Sequence, residues 1–471
     1  MRIVETSLWR AHLHARMPFK YGIVTMTELP HVFLQARVEF PGGASGVGVA
    51  ADHLPPKWFT KDPTKDPRLE IDEMLFVIRN AMALASKVNA ATVFAWWHEL
   101  YLAQAEWART AGIPPLLAHF GTSLVERAVI DAFCRAHKQT FAAAVRDNLL
   151  GIDLGAVRSE LAGTQARDWL PATPPRQVFA RHTVGMVDIL QESEVTAADR
   201  VNDGLPQSLE ASIAAYGLRH FKLKVGGGAD RERLLRIVEV LERCAAPGWV
   251  CTLDGNEGFK SVDAFRTFWE GVIGEPRLEP LRRGLLFVEQ PFHRDLALSD
   301  EIGALVERWP GRPPIIIDES DATLESLPRA LALGYSGTSH KNCKGVFKGL
   351  INACHMASLR KTKPQQAWRM SGEDLSNVGP VGQLQDLAVQ AVLGITSVER
   401  NGHHYFSGLS AWPVSIQELV LQHHGDLYVK SAQGWPTLQI REGQVSVESV
   451  LTAPFGEAFP FNPAAAGAAR V

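Results

Sequence analysis

The sequence predicts an α/β protein: a (β/α)8, TIM-like barrel preceded by an α+β N-terminal capping domain that C-terminal segments complete. Three observations carry that expectation. From about residue 180, short apolar or β-branched runs alternate with longer amphipathic stretches, the pattern of strand and helix units on a parallel sheet. Before residue 150, period-two alternation gives way to helical spacing, so a sheet and a helical layer come first. The chain has 471 residues, 46% of them hydrophobic, which can bury a large core but exceeds one ordinary compact domain.

Residues 1–60 alternate apolar and polar side chains, as in Val32-Phe33-Leu34-Gln35-Ala36-Arg37-Val38, and are cut by Pro41-Gly42-Gly43. Antiparallel strands joined by a turn follow from that pattern. Between 73 and 150 the apolar spacing is helical, broken at Gly112-Ile113-Pro114-Pro115 and resumed from Leu124 to Arg146. The capping domain is therefore expected over 1–150, a connection rich in Asp, Gly, Thr and Pro over 151–180, and the barrel over 181–401. Its eight candidate strands are 183–190, 220–225, 249–256, 285–291, 314–320, 338–342, 367–372 and 395–401. Eight such units match a closed barrel, and an open doubly wound sheet rarely needs so many. Short alternating runs between Trp412 and Val450 predict that 402–471 returns to the N-terminal sheet, with an Ala-rich loose tail over 463–471. Gly226-Gly227-Gly228 lacks the spacing of a phosphate-binding loop and is read as a tight turn.

Composition narrows the function classes. A net charge of −3 without long runs of one sign disfavours nucleic acid and acidic polymers as partners. The first twenty residues mix Arg, His and Glu into their apolar positions, with no block of signal-peptide or membrane-span length, so a cytoplasmic protein acting on small molecules is expected. The five cysteines, Cys134, Cys244, Cys251, Cys343 and Cys354, lack metal-site spacing and are expected reduced; Cys343 stands out for its nearness to Lys341.

Charged residues recur where barrel strands should end, and in such barrels those ends face the active-site mouth. The second strand ends in Lys222-Leu223-Lys224, the third in Asp254-Gly255-Asn256, the fourth in Glu289-Gln290-Pro291, the fifth in Asp318-Glu319-Ser320, and the sixth in Lys341-Asn342-Cys343-Lys344. Each alone has a plain structural explanation: Asp254 could cap a helix, and Glu289 could pair with an arginine. All would have to hold at five successive strand ends. Three carboxylates from adjacent strands would repel one another unless a cation sat between them. Oxygen ligands without Cys or His favour a hard ion, and an open protein shell favours Mg2+ over Ca2+. Lys222 and Lys224, two apart on a strand, share a face with Cα atoms about 6.5 to 7 Å apart. Their repulsion, about 2 to 2.5 kcal/mol at an effective dielectric of about 20, would bring one of them toward a usable base near neutral pH. Lys341 would approach from the opposite wall of the barrel.

This ordered set, Lys-x-Lys, Asp-x-Asn, Glu-Gln-Pro, Asp-Glu-Ser and Lys on successive strands, resembles the enolase superfamily, in particular its muconate lactonizing enzyme branch. The resemblance covers nearly the whole chain, since Leu124 to Asp131 resembles the helix leading from that family's capping domain toward its barrel. It implies Mg2+ held by Asp254, Glu289 and Asp318, Lys224 and Lys341 as an acid and base pair, and Lys222 tuning Lys224. It also implies that Asn256 and Glu319 orient these groups. The implied chemistry is removal of the α-proton of a small carboxylate substrate through an enediolate, by a lyase or isomerase that racemises, epimerises, dehydrates or cycloisomerises. A homo-oligomer is implied too.

Three departures and two alternatives accompany that reading. The register after the sixth strand leaves Lys344 as an alternative to Lys341, and His340, pointing away from Lys341, is read as a packing residue. The seventh strand end, Arg369 to Asp374, carries no His, unlike the mandelate racemase branch. Specificity in this family comes from two capping loops and the last strands, here 18–27 with Lys20 and Tyr21, 52–59 with His53, Lys57 and Trp58, and Ser371, Glu373, Asp374, Glu399 and Asn401. Of these, Tyr21, His53, Lys57, Glu373 and Glu399 are the candidate substrate contacts. The alternatives are an aldolase-like barrel that forms a Schiff base on Lys224 or Lys341, and a metal-binding barrel without turnover.

Overall fold

The computed structural model describes residues 1–21, 23–226, 230–307, 309 and 311–471, without the side chains of Tyr21 and residues 304–307. The chain opens with three antiparallel strands, β1 (Arg2–Tyr21), β2 (Val24–Glu39) and β3 (Ser45–His53). The Pro41-Gly42-Gly43 turn joins the second pair, with both glycines at positive φ. Three helices follow: α1 (Pro67–Ala85), α2 (Val93–Ala111) and α3 (Pro115–Ala136). Their starts are written locally: Asp66 accepts from the Arg68 N–H ahead of Pro67, Thr92 accepts from the Ala95 N–H, and Pro114-Pro115 open α3. Helix α3 is buried from Leu116 to Cys134 because it lies between the sheet, the other helices and the barrel. The close approach needs glycine in β3, where a Cβ on Gly48 would stand 2.1 Å from the Ala128 carbonyl oxygen.

Eight parallel strands close the barrel: β4 (Gln177–Val184), β5 (His220–Lys224), β6 (Val250–Asp254), β7 (Leu285–Glu289), β8 (Ile315–Ile317), β9 (Gly337–His340), β10 (Arg369–Gly372) and β11 (Ser397–Glu399). β11 pairs back onto β4 through Ser397 and Phe179, and helices lie between the strands. The (β/α)8 barrel with its capping domain is therefore observed. Seven strands fall where the alternation placed them. The first was expected at 183–190 but runs over Gln177–Val184, because Arg181 and His182 interrupt the apolar signal within it.

The barrel interior differs from the apolar filling expected of it. Arg181 points inward from β4, donates to the Ser397 carbonyl at 3.0 Å and to Ser371 Oγ at 2.5 Å, and pairs with Glu373 at 3.0 Å. An inward charge is tolerated because Ser371 and the oppositely charged Glu373 are buried with it.

Two C-terminal pieces return to the rest of the molecule. Gln444–Ser446 pairs antiparallel with β4, and Ala469–Arg470 adds to the N-terminal sheet beside Trp9 and Arg10 of β1. The Ala-rich end is thus not a loose tail: the small side chains of Ala466 and Ala468 are buried, and backbone pairing fixes the last residues. The cap is tied to the barrel by α3, where the Glu126 carboxylate accepts from the Val346 and Phe347 N–H groups at 3.1 and 2.7 Å, at the start of the helix Val346–Thr362. Among the described residues no helix is long and apolar enough to cross a membrane.

Candidate active site

Strand register brings the charged ends to one level. Lys224 pairs with Asp254 across β5 and β6, and Asp254 pairs with Glu289 across β6 and β7. Lys222, one layer lower on the same face, places its Nζ at 2.8 to 3.0 Å from carboxylate oxygens of Asp254, Glu289, Glu373 and Glu399. Lys224 Nζ donates to Asp254 Oδ2 at 2.6 Å. Across the barrel, Lys341 Nζ donates to Asp318 Oδ2 at 2.7 Å and to Glu373 Oε2 at 2.6 Å. The two faces of the mouth therefore each carry a lysine, and each lysine is held by a carboxylate of the ring between them.

Electrostatics within the ring follow from burial and partners. Burial opposes charge on Lys222, but the four carboxylates around it raise its pKa well above the usual lysine value. Lys341 is raised in the same way by Asp318 and Glu373 against the cost of burial. For Lys222, attraction to four carboxylates at hydrogen-bond distance thus outweighs the repulsion of its lysine neighbour. Asp318 is buried, yet Lys341 and Lys344 hold its carboxyl well below the usual range. Glu289 goes the other way, raised by burial and by the charge of Glu373. Glu319 is pushed up to about 7 by burial and by Asp318.

A hard cation fits this donor set. Oxygen atoms of Glu289, Asp318 and Glu373 lie within 4.8 Å of one another. Glu289 Oε2 and Glu319 Oε2 are buried without a hydrogen-bond partner, a costly arrangement that a cation among the carboxylates would relieve. Asp254 stands one strand away, its Oδ2 shared by Lys222 and Lys224 and its Oδ1 accepting from the Asn256 N–H at 2.8 Å. Asn256 itself has positive φ, and its carbonyl accepts from Lys61.

Gln290 locks the fourth and fifth strand ends together. Its Oε1 accepts from the Asp318 and Ser320 N–H groups at 2.8 and 3.2 Å, and its Nε2 donates to Ser320 Oγ and the Phe292 carbonyl at 2.7 and 2.8 Å. Its backbone sits at φ 35°, the cost of aiming this amide sideways into the next strand.

Lys341 and Lys344 play different parts. Lys344 lies beneath Asp318 with four contacts, to Asp318 Oδ1 and its carbonyl and to the Ser339 hydroxyl and carbonyl, all between 2.8 and 3.2 Å. Lys341 lines the open pocket, where its Nζ lies 5.4 Å from the centre of the Trp58 ring. His340 turns away from the mouth and bonds Asn342 Oδ1 at 3.0 Å. Burial raises the Cys343 thiol well above its usual pKa, which keeps it an inert thiol.

A pocket opens above the ring. Its floor is Lys222, Lys224, Asp254, Asp318, Lys341 and Glu399; its opposite wall is apolar, built by Phe19, Met26, Leu29, Pro55, Trp58 and Leu375. Glu399 accepts from Thr183 Oγ1 and Asn401 Nδ2 at 2.6 and 2.7 Å, and Asp374 is pushed up to about 6 by burial despite its ion pair with Arg400.

Two expected substrate contacts lie elsewhere. His53 is buried behind the wall with Nδ1 3.1 Å from the Leu375 carbonyl, and burial lowers its pKa to about 4. Lys57 is folded back into its own loop, bonded to the carbonyls of Asp62 and Lys65 and to Glu70. Polar loop residues read as facing the pocket are instead spent closing the loop. The side chain of Tyr21, and Gly227 and Gly228 of the glycine turn, lie outside the described residues. Glu373 is not a peripheral contact but a member of the central ring. The acidic Glu373-Asp374 pair at the seventh strand end was its only trace in the sequence, and nothing there announced Arg181 as its partner.

No protein-family model matches the chain, and no curated protein matches it by sequence. Solved structures do match along its length. Muconate lactonizing enzyme from Mucobacterium smegmatis, complexed with muconolactone, is 19% identical, with 100% of each chain covered and a TM-score of 0.58. An enolase from Bradyrhizobium complexed with magnesium and mandelic acid is 15% identical, covering 100% of this chain and 98% of that one, at a TM-score of 0.57. The chain shares the barrel-and-cap fold of these structures. N-succinyl Arg/Lys racemase from Bacillus cereus has the same fold at 14% identity, 96% and 97% coverage and a TM-score of 0.57.

Proposed function

We propose that the protein is an enolase-superfamily enzyme that removes the α-proton of a small carboxylate substrate with the help of Mg2+, leading to racemisation or epimerisation, dehydration or cycloisomerisation. The observation that carries this reading is the pair of lysines, Lys224 and Lys341, four strands apart around the barrel and each bonded to a carboxylate of one buried ring. A substrate lying on that ring has an amine or ammonium on each face.

Asp254, Glu289 and Asp318 would hold the ion, with Glu373 beside them. When bound, Mg2+ would supply Lewis-acid stabilisation for the charge that develops on the substrate carboxylate as the proton leaves. The chain's own residues do the rest. Lys224 Nζ takes or returns a proton on one face, and Lys341 Nζ does so on the other. Lys222 neutralises the ring and keeps Asp254, Glu289, Glu373 and Glu399 in place. Gln290 fixes the Asp318 backbone, and Glu319 and Asn256 brace the ligands from outside. The cap wall keeps water from the reacting carbon. A Schiff-base mechanism fits less well, because it has no use for a buried cluster of carboxylates suited to a cation, whereas metal-assisted proton abstraction does.

The test is α-proton exchange in deuterium oxide over a library of carboxylic acids with Mg2+, followed by NMR. Exchange on at least one acid, lost in Lys224→Ala or Lys341→Ala, is expected. Exchange that survives both substitutions contradicts the assignment of the bases, and substrate trapped on a lysine by borohydride would replace this reading with the Schiff-base one.

A further inference from the structure

The two sides of the pocket differ in kind, and that difference bears on the substrate. Every charged side chain among the described lining residues lies on the barrel side: Lys222, Lys224, Asp254, Asp318, Lys341, Asp374 and Glu399. The cap contributes Phe19, Met26, Leu29, Pro55 and Trp58 without a single charge. Phe19 and Met26 face each other in register across β1 and β2, and the Phe19 ring stacks on Tyr405 at 4.0 Å, so this wall is a packed surface. Lys20, beside Phe19 on β1, is not among the residues that line the pocket, and three other cations of this side are paired. Lys57 is bonded within its loop, and Lys61 and Arg294 both pair with Glu257, at 3.3 and 2.7 Å. A second carboxylate on the far end of a substrate would be buried against aliphatic and aromatic carbon with no partner, which is strongly unfavourable.

We infer that the substrate is a monocarboxylic acid whose far end is apolar, a branched alkyl or aryl group seated against Met26, Leu29 and Trp58, and not a dicarboxylate. The inference rests on the proposed carboxylate chemistry at the barrel floor and adds what lies at the other end of the molecule. Trp58 joins the two halves, since its ring meets Lys341 on one side and the apolar wall on the other.

Calorimetric binding in the presence of Mg2+ tests it with three probes: phenylacetate, hexanoate, and adipate, which matches hexanoate in length but carries a second carboxylate. The monoacids are expected to bind, with adipate at least roughly tenfold weaker. Met26→Arg, placed near the hairpin end, is expected to reverse that order by supplying a cation. Trp58→Ala, with its fold checked by circular dichroism, is expected to weaken phenylacetate most. Adipate binding as tightly as hexanoate, an order unchanged in both variants, or no binding of either monoacid would each overturn the inference. The underlying reading fails separately, through the absence of α-proton exchange on every acid of a library that includes dicarboxylates and sugar acids.

Discussion

The floor and the wall of the pocket come from the two parts of the fold and are built by opposite means. The floor is a ring of charges fixed by strand register and by mutual hydrogen bonds, so each member is held by the others. The wall is apolar and fixed by packing, with Phe19, Met26 and Leu29 carried on the β1 and β2 hairpin. The difference separates chemistry from selectivity: a floor that pairs charges at 2.6 to 3.0 Å tolerates no substitution cheaply, whereas a wall of carbon can change shape and keep the reaction.

The largest effect should come from the floor lysines. Lys224→Ala or Lys341→Ala should slow α-proton exchange by roughly 10²- to 10⁴-fold while circular dichroism stays that of wild type. A wall substitution matching that loss would erase the distinction. Next comes the frame of the cap that carries the wall. Arg127 is fully buried, with its guanidinium 2.7 Å from Asp52 Oδ2 and 2.9 Å from the Ala51 carbonyl at the end of β3. Arg127→Met should cost about 3 to 5 kcal/mol in denaturant unfolding, because the buried Asp52 carboxyl loses its counter-ion and the Ala51 carbonyl its donor.

A smaller effect is expected from Gln290→Leu, which removes four hydrogen bonds, three of them holding the Asp318 and Ser320 ends. Mg2+ affinity measured by calorimetry should fall roughly 10- to 100-fold with little change in the melting temperature. The smallest concerns pH. Burial pushes Glu126 up to about 8 from a usual 4.5 despite its two backbone donors. A carboxyl raised in the folded state contributes stability that is present below the unfolded pKa and lost as pH rises through the folded value. The wild-type melting temperature should therefore fall between about pH 5 and pH 9, and the fall should be shallower in Glu126→Gln.

How far the sequence could be read follows the same division. Lys222, Lys224, Asp254, Glu289, Asp318 and Lys341 were visible because a charge at a strand end has few other reasons to be there. Glu373 was visible only as an acidic strand end, since its place in the ring depends on Arg181, far away in the chain, which was itself hidden inside a strand it made look polar. The wall was visible only as the segments 18–27 and 52–59, with Trp58, that the family resemblance implied, and its apolar character was not. Phe19, Met26 and Leu29 alternate like any half-buried strand, and nothing local says which apolar face meets solvent, core or substrate. Lys57 misled because loop polarity reports equally a pocket contact and a loop bonded to itself, and His53 because a histidine at a strand end can as well be packed against the next layer, here beside the Leu375 carbonyl.

The most direct test of the central claim takes one acid that exchanges its α-proton and follows it by NMR in deuterium oxide with Mg2+, after chelation, and with the Lys224→Ala, Lys341→Ala double variant. Exchange that requires both the ion and the lysines is predicted. Exchange that continues after chelation, or in the double variant, would contradict it.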